Sequence, residues 1–181
     1  MAEKQHYSYN YIHSLIAASV LNKFDEAPGV IVAISGGGLI PARMLRTLLK
    51  ARFGVTVPIR VVGLMLYDDD TEEISKDGVQ RLQWPTPQEF GASLKSALVV
   101  DEVDDTRTTL QYAIEHLRKD LPSVSLGVFV VHDKQKPKRG VLPADVKYLA
   151  AAEVEDFWIV YPWDAVDIAD HEKKARAQGL A

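Results

Sequence analysis

Residues 98–110 read LVVDEVDDTRTTL. The apolar start has the character of a buried strand and runs directly into Asp101 and Glu102, after which the threonines open a segment of helical character, Thr108 to Lys119. In open α/β sheets ligands bind beyond the carboxyl ends of the strands, so acids at this place face a ligand. Two adjacent carboxylates there accept hydrogen bonds from the vicinal hydroxyls of a sugar, directly or through Mg²⁺ and its waters. Thr106, Arg107, Thr108 and Thr109 follow at the helix start, where free backbone N–H groups and hydroxyls suit a phosphate. Taken singly, each feature is ordinary capping. Together they join a diol binder to a phosphate cradle in one loop.

The same grammar recurs outward from this loop. GVIVAI (29–34) is a short apolar run that ends in SGGG (35–38) and is followed by the helical pattern LIPARMLRTLLKARF (39–53). PIRVVGLML (58–66) and SLGVFVV (125–131) are two more apolar strands. Near-continuous Val/Ile/Leu strands alternating with helices predict a doubly wound α/β fold, with a mostly parallel sheet covered on both faces. Near the start, Ile12, Leu15, Ile16, Ser19 and Val20 fall at helical spacing after the candidate caps Ser8 and Asn10. With 181 residues and no linker or repeat, residues 1–181 are expected to form a single domain.

Composition narrows the function classes. The absence of cysteine excludes disulfides, thiolate catalysis and Cys-ligated zinc. No apolar run reaches the roughly 18–20 residues of a membrane span, and the polar start has no signal-peptide core, so a cytoplasmic protein without membrane contacts is expected. The net charge of -4 argues against a nucleic-acid partner. The five histidines show no ligand spacing and are assigned neither to metal nor to catalysis.

The glycines at 36–38 let the backbone approach an anion, helped by the dipole of the following helix. They are not the dinucleotide fingerprint, because positions 36, 38 and 41 are Gly, Gly and Pro. The polar connection 67–95 is too long for a plain loop, which leaves a lid, a disordered stretch or a segment with strand of its own.

A hydrophobic strand, Asp-Glu, two residues, Asp-Thr, one residue and a second hydroxyl pair resembles the signature by which type I phosphoribosyltransferases bind phosphoribosyl pyrophosphate (PRPP). The resemblance implies that fold, with a small base-binding hood built from the terminal segments. It places Asp101 and Glu102 at the ribose and its Mg²⁺, Asp105 to Thr109 at the 5-phosphate, and Asp105 beside the base N7 as general base. Ser35, Gly36 and Gly37 match the pyrophosphate loop, where Gly36 stands in place of a common Arg or Lys. Either backbone N–H groups suffice there or Arg43 supplies the charge, and in the enzymes it resembles this loop can carry a non-proline cis peptide, here around Ser35-Gly36, which the sequence leaves open. Arg107 stands where many members have Gly, so its side chain must avoid the phosphate or add a cationic contact.

The run Trp-Ile-x-x-Pro-Trp-Asp resembles the base-binding strand of xanthine-guanine phosphoribosyltransferases. It nominates Trp158 for stacking, the Ile159 backbone for the ring edge, and Asp164 for the pyrophosphate-side metal. Lys134 matches the donor to the purine O6, with Lys136 as its rival, and Leu66-Tyr67 matches the start of the catalytic lid. The implied substrates are PRPP and xanthine, guanine or hypoxanthine, and the ending WDAVDIADHEKKARAQG leans towards xanthine. A homodimer or higher homo-oligomer is also implied. The alternative is a non-catalytic sensor of PRPP or nucleotide on the same fold, against which Trp158, Lys134 and the net charge weigh.

Overall fold

The computed structural model describes residues 3–65, 78–91 and 93–181. Its elements are β1 (Lys4–His6), α1 (Tyr9–Lys23), β2 (Val30–Ile34), α2 (Leu39–Phe53), β3 (Ile59–Met65), β4 (Gln80–Gln83) and α3 (Pro87–Phe90). There follow β5 (Ser96–Asp104), α4 (Thr108–Asp120), β6 (Ser125–Lys134), β7 (Lys147–Val154), β8 (Trp158–Val160), a 3₁₀ turn at Pro162–Asp164 and α5 (Ile168–Ala177).

β2 carries only apolar side chains and is buried along its whole length, and its period of two divides them between two cores. Val30, Val32 and Ile34 pack with Leu110, Ile114 and Leu117 of α4. Ile31 and Ala33 meet Ile12 and Ile16 of α1 and Leu45 and Leu49 of α2 on the other face. Each of the larger side chains, buried completely, contributes about 1.5–3 kcal/mol. Ser8 caps α1 by accepting a hydrogen bond from the Tyr11 N–H at 3.0 Å, whereas Asn10 lies inside the helix.

The main sheet has the order β4-β3-β2-β5-β6-β7, parallel throughout except for the antiparallel edge strand β4. The chain leaves β2 for β3 on one side and comes back to β5 on the other. The winding therefore reverses between β2 and β5, and a crevice opens at their carboxyl ends. The two terminal segments meet in a separate two-stranded parallel sheet, β1 with β8, which stands as the hood.

The doubly wound fold agrees with the sequence expectation, but the strands reach further. β5 continues past Asp101 to Asp104 because its pairing with β6 persists, Val103 opposite His132 and Asp104 opposite Asp133. The acids thus sit on the end of a strand held by its neighbour. β7 was not expected: its core LAAA lacks the β-branched residues that mark a strand, and pairing with β6 supplies what local preference does not. Part of the long connection is strand, as β4.

Candidate active site

A cleft of about 430 Å³ occupies the crevice, lined by Ser35 to Gly37, by Leu64 and Met65, and by residues 101–110. The β2 and β5 ends approach so closely that only glycine fits between them. A Cβ on Gly37 would overlap the Glu102 carboxylate, and one on Gly38 would press on the Ile34 and Val100 carbonyls. Gly36 serves differently, adopting φ +88° with open space around it. The glycine loop and the acid pair are therefore one structural unit. Arg43 does not join it; its guanidinium donates to Thr47 Oγ1, one turn along its own helix, at 2.6 Å.

Desolvation at the strand end pushes the Asp101 carboxyl well above its usual range, and the Glu102 and Asp104 charges add to the rise. Glu102 Oε2 is buried with no hydrogen-bond partner. Asp164 is raised as well, by burial and then by Glu102. Two crowded acids, one with an orphaned oxygen, make a place that a cation would relieve.

At the start of α4 the Thr106 and Thr108 hydroxyls lie 3.0 Å apart. The first N–H to find a helical partner is that of Gln111, on the Arg107 carbonyl, so the donors before it are left for a ligand. Arg107 itself has φ 66°, the one non-glycine residue in the left-handed region among the described residues. Its side chain turns behind the loop, where Nε donates to Asp104 Oδ2 at 2.7 Å. Lys138 closes the back by donating to the Asp104 and Asp105 carbonyls at 2.6 and 3.1 Å.

At the other end of the cleft Asp105 meets two ammonium groups. Lys136 Nζ lies 2.6 Å from its Oδ1 and Lys134 Nζ 3.5 Å, and both lysines also reach Asp156, at 2.9 and 3.6 Å. Burial pulls the Lys136 ammonium down, but its bonds to Asp105 and Asp156 outweigh that and leave it raised. Trp158 is 53% exposed, which leaves ring surface for a planar ligand. In the hood the Trp158 N–H and the Val160 carbonyl both bond towards the first strand. By strand alternation the N–H and C=O of Ile159 then point to the opposite, unpaired edge.

Residues 3–165 match the family model of the phosphoribosyl transferase domain. The chain belongs to that family. It is 42% identical to xanthine phosphoribosyltransferase 1 of Saccharomyces cerevisiae, covering 98% of this chain and 97% of that one. To the hypoxanthine-guanine phosphoribosyltransferase of the same yeast it is 40% identical, over 98% and 93%. Among solved structures, a hypothetical protein from Neisseria gonorrhoeae with bound ppGpp superposes with a TM-score of 0.83 at 37% identity, covering 98% of each chain.

As a phosphoribosyltransferase domain, the fold brings Asp101, Glu102, Asp105 to Thr109 and Ser35 to Gly37 to one cleft. Lys134 and Lys136 are joined to it through Asp105. Among the described residues no three His, Asp or Glu side chains converge on one point as a metal cage. Asp101 and Glu102 alone still suit Mg²⁺, which takes one or two carboxylates and completes its shell with water and substrate oxygens. Asp164 is near enough for the Glu102 charge to raise its carboxyl, but it completes no such cage. Among the described residues every peptide bond is trans, Ser35-Gly36 included, and Gly36 turns the chain through its positive φ. Leu66 and Tyr67 lie outside the described residues.

Several residues of this site went unforeseen. Tyr161 donates to the Glu102 carbonyl at 2.9 Å and so ties the hood to the acid pair. With its proton committed there, Tyr161 accepts from His132 Nδ1 at 2.9 Å. Burial draws His132 down to about 4 and keeps it neutral. Asp104, Asp133, Lys138, Tyr148 and Asp156 were also missed. Only the doubled Asp104-Asp105 and the basic run 134–139 carried a signal for any of them.

Proposed function

We propose that this chain transfers the 5-phosphoribosyl group of PRPP to N9 of a 6-oxopurine, forming the nucleoside 5′-monophosphate and pyrophosphate. The observation that carries this function is the single cleft in which Asp101-Glu102, the Thr106–Thr109 helix start and the lysine-flanked Asp105 lie in series. Asp101 and Glu102 hold the ribose hydroxyls, Thr106, Thr108 and Thr109 the 5-phosphate, and Ser35 to Gly37 the pyrophosphate through backbone N–H groups. The purine lies on Trp158, its edge against the Ile159 backbone and its O6 on Lys134. N9 attacks the anomeric carbon as the bond to the pyrophosphate oxygen breaks. Asp105 takes or shares the N7 proton, which raises the nucleophilicity of N9. Mg²⁺, when bound, neutralises the charge of the leaving pyrophosphate.

A donor at O6 favours 6-oxopurines, since a mispaired buried polar group costs about 1–3 kcal/mol. The yeast relatives, named for xanthine and for hypoxanthine-guanine, support the same class, and the terminal segment leans towards xanthine. The Neisseria structure, with ppGpp bound, supports nucleotide binding by a chain of this fold. The domain, residues 1–181, works in the cytoplasm as a homodimer or higher homo-oligomer, and a monomer by light scattering would refute the latter.

Pyrophosphate release from PRPP and Mg²⁺ with each base in turn tests the function. Turnover with xanthine, guanine or hypoxanthine is expected. Turnover with adenine alone overturns the role of Lys134, and none with any base overturns the function in favour of a sensor. Asp105→Asn should lower kcat by about 10²- to 10⁴-fold. Full activity in that variant removes the general base.

A further inference from the structure

Arg107 occupies the corner of the phosphate loop in a backbone conformation that side chains disfavour. Its guanidinium is turned towards the acids behind the loop. Nε and Nη2 both lie 2.7 Å from Asp104 Oδ2, Nη2 is 3.8 Å from Asp133, and the plane sits 4.6 Å over the Tyr148 ring. Asp104 has no exposed side-chain surface and also accepts from the Tyr148 hydroxyl at 2.8 Å. Lys138 completes the set at 2.7 Å from Asp133. Two acids and two bases thus pair with one another at this corner. The front of the loop is fixed from the same place, because the Arg139 and Gly140 N–H groups donate to the Thr106 carbonyl. A Cβ on Gly140 would overlap the Arg107 carbonyl, so this clamp closes only over glycine.

We infer that Arg107 is a positioning residue that holds the left-handed corner of the 5-phosphate loop by its tie to buried Asp104, and that the phosphate itself is bound by neutral backbone and hydroxyl donors. The inference rests on the phosphoribosyl transfer proposed above. The corner is thus fixed by an anchored arginine, not left to the backbone freedom of a glycine.

Kinetics separate this role from a direct phosphate contact. Arg107→Ala, Arg107→Gly, Arg107→Lys, Asp104→Asn and the double variant Arg107→Ala/Asp104→Asn are compared by KM for PRPP, KM for the base, kcat and Tm. Loss of the anchor should raise the KM for PRPP ~10- to 100-fold and leave the KM for the base within about twofold. Glycine, although free to adopt the corner, should not restore it. Lysine should not either, because one ammonium cannot make the paired bonds to Asp104. The double variant should resemble the worse single variant, since both remove one tie.

A lysine variant with nearly wild-type KM for PRPP, additive effects in the double variant, or a fully active glycine variant would each overturn the anchor. Should Asp104→Asn fail to fold, Tyr148→Phe loosens the same carboxylate more gently. It should raise the KM for PRPP by a few-fold with the base unaffected, and no change would count against the anchor. If the transfer function itself is wrong, the unaltered protein releases no pyrophosphate, an outcome distinct from all of these.

Discussion

At the proposed phosphate end of the cleft Asp104 is wholly buried and shared by Arg107, Tyr148 and Lys138. At the proposed base end Asp156, half exposed, shares Lys134 and Lys136 with Asp105. The chemistry is the same on both sides, acids between bases, but the solvent differs. A buried pair is costly to break because the partner is left charged without water, whereas an exposed pair exchanges readily with solvent ions. The phosphate end is built to keep one shape. The base end holds its lysines where an arriving ligand can take them over, with Asp105 common to both.

The largest expected difference is in stability. Asp104→Asn leaves Arg107 without its main counter-charge and should cost about 3–5 kcal/mol, a Tm fall of roughly 10 °C for a chain of this size. Differential scanning calorimetry measures it, and a loss below ~1 kcal/mol would erase the contrast between the two ends.

Next comes the tie between the hood and the acid pair, Tyr161 with His132. An unfolded histidine titrates near 6.5, but His132 stays neutral down to about 4. Between those values the unfolded chain binds a proton that the folded one refuses. Its contribution to stability is therefore complete above pH 6.5 and is lost as pH falls towards 4, on the order of 2–3 kcal/mol. Asp101, whose carboxyl is raised, acts in the opposite sense. The comparison is thus between the unaltered protein and His132→Gln, which keeps a donor for Tyr161 and has no ring to titrate. Stability measured from pH 7 to 4.5 should fall more steeply in the histidine protein, and equal slopes would remove the buried neutral imidazole.

Much of this was legible in residue order. β2, β3, β5 and β6 declared themselves because their runs are nearly continuously apolar, and the acid-threonine loop because its residues follow one another in the chain. What was hidden is non-local. Lys147–Val154 is a strand only by virtue of its neighbour β6. Tyr148 is 44 residues from the Asp104 it binds, and Asp156 is 20 from Lys136. Arg107 was visible as an exception at a glycine position, but the direction of its side chain depends on an acid three residues earlier that sequence could equally have placed in solvent.

Smaller effects belong to the base end. Trp158→Ala removes an exposed ring whose stacking on a purine is worth about 1–3 kcal/mol, so the KM for the base should rise by roughly 5- to 150-fold while that for PRPP holds. An equal rise for both substrates would make Trp158 a structural residue of the hood.

The smallest expected effect discriminates most finely. Asp156 competes with Asp105 for both lysines, and Lys136 holds its carboxyl below the usual range. Asp156 is nevertheless half exposed, so its pairs are worth about 0–1 kcal/mol. Asp156→Asn should leave Tm nearly unchanged and shift the KM for the base by less than about fivefold. The direction is informative. If Asp156 restrains a lysine that must turn to the purine O6, its loss lowers that KM; if it aims the lysine, its loss raises it. The same substitution combined with Lys134→Met or Lys136→Met shows which lysine is involved, because the effect of Asp156→Asn disappears only in the background that lacks the lysine it controls. A shift as large as that of Asp104→Asn would mean that the base end is as rigid as the phosphate end.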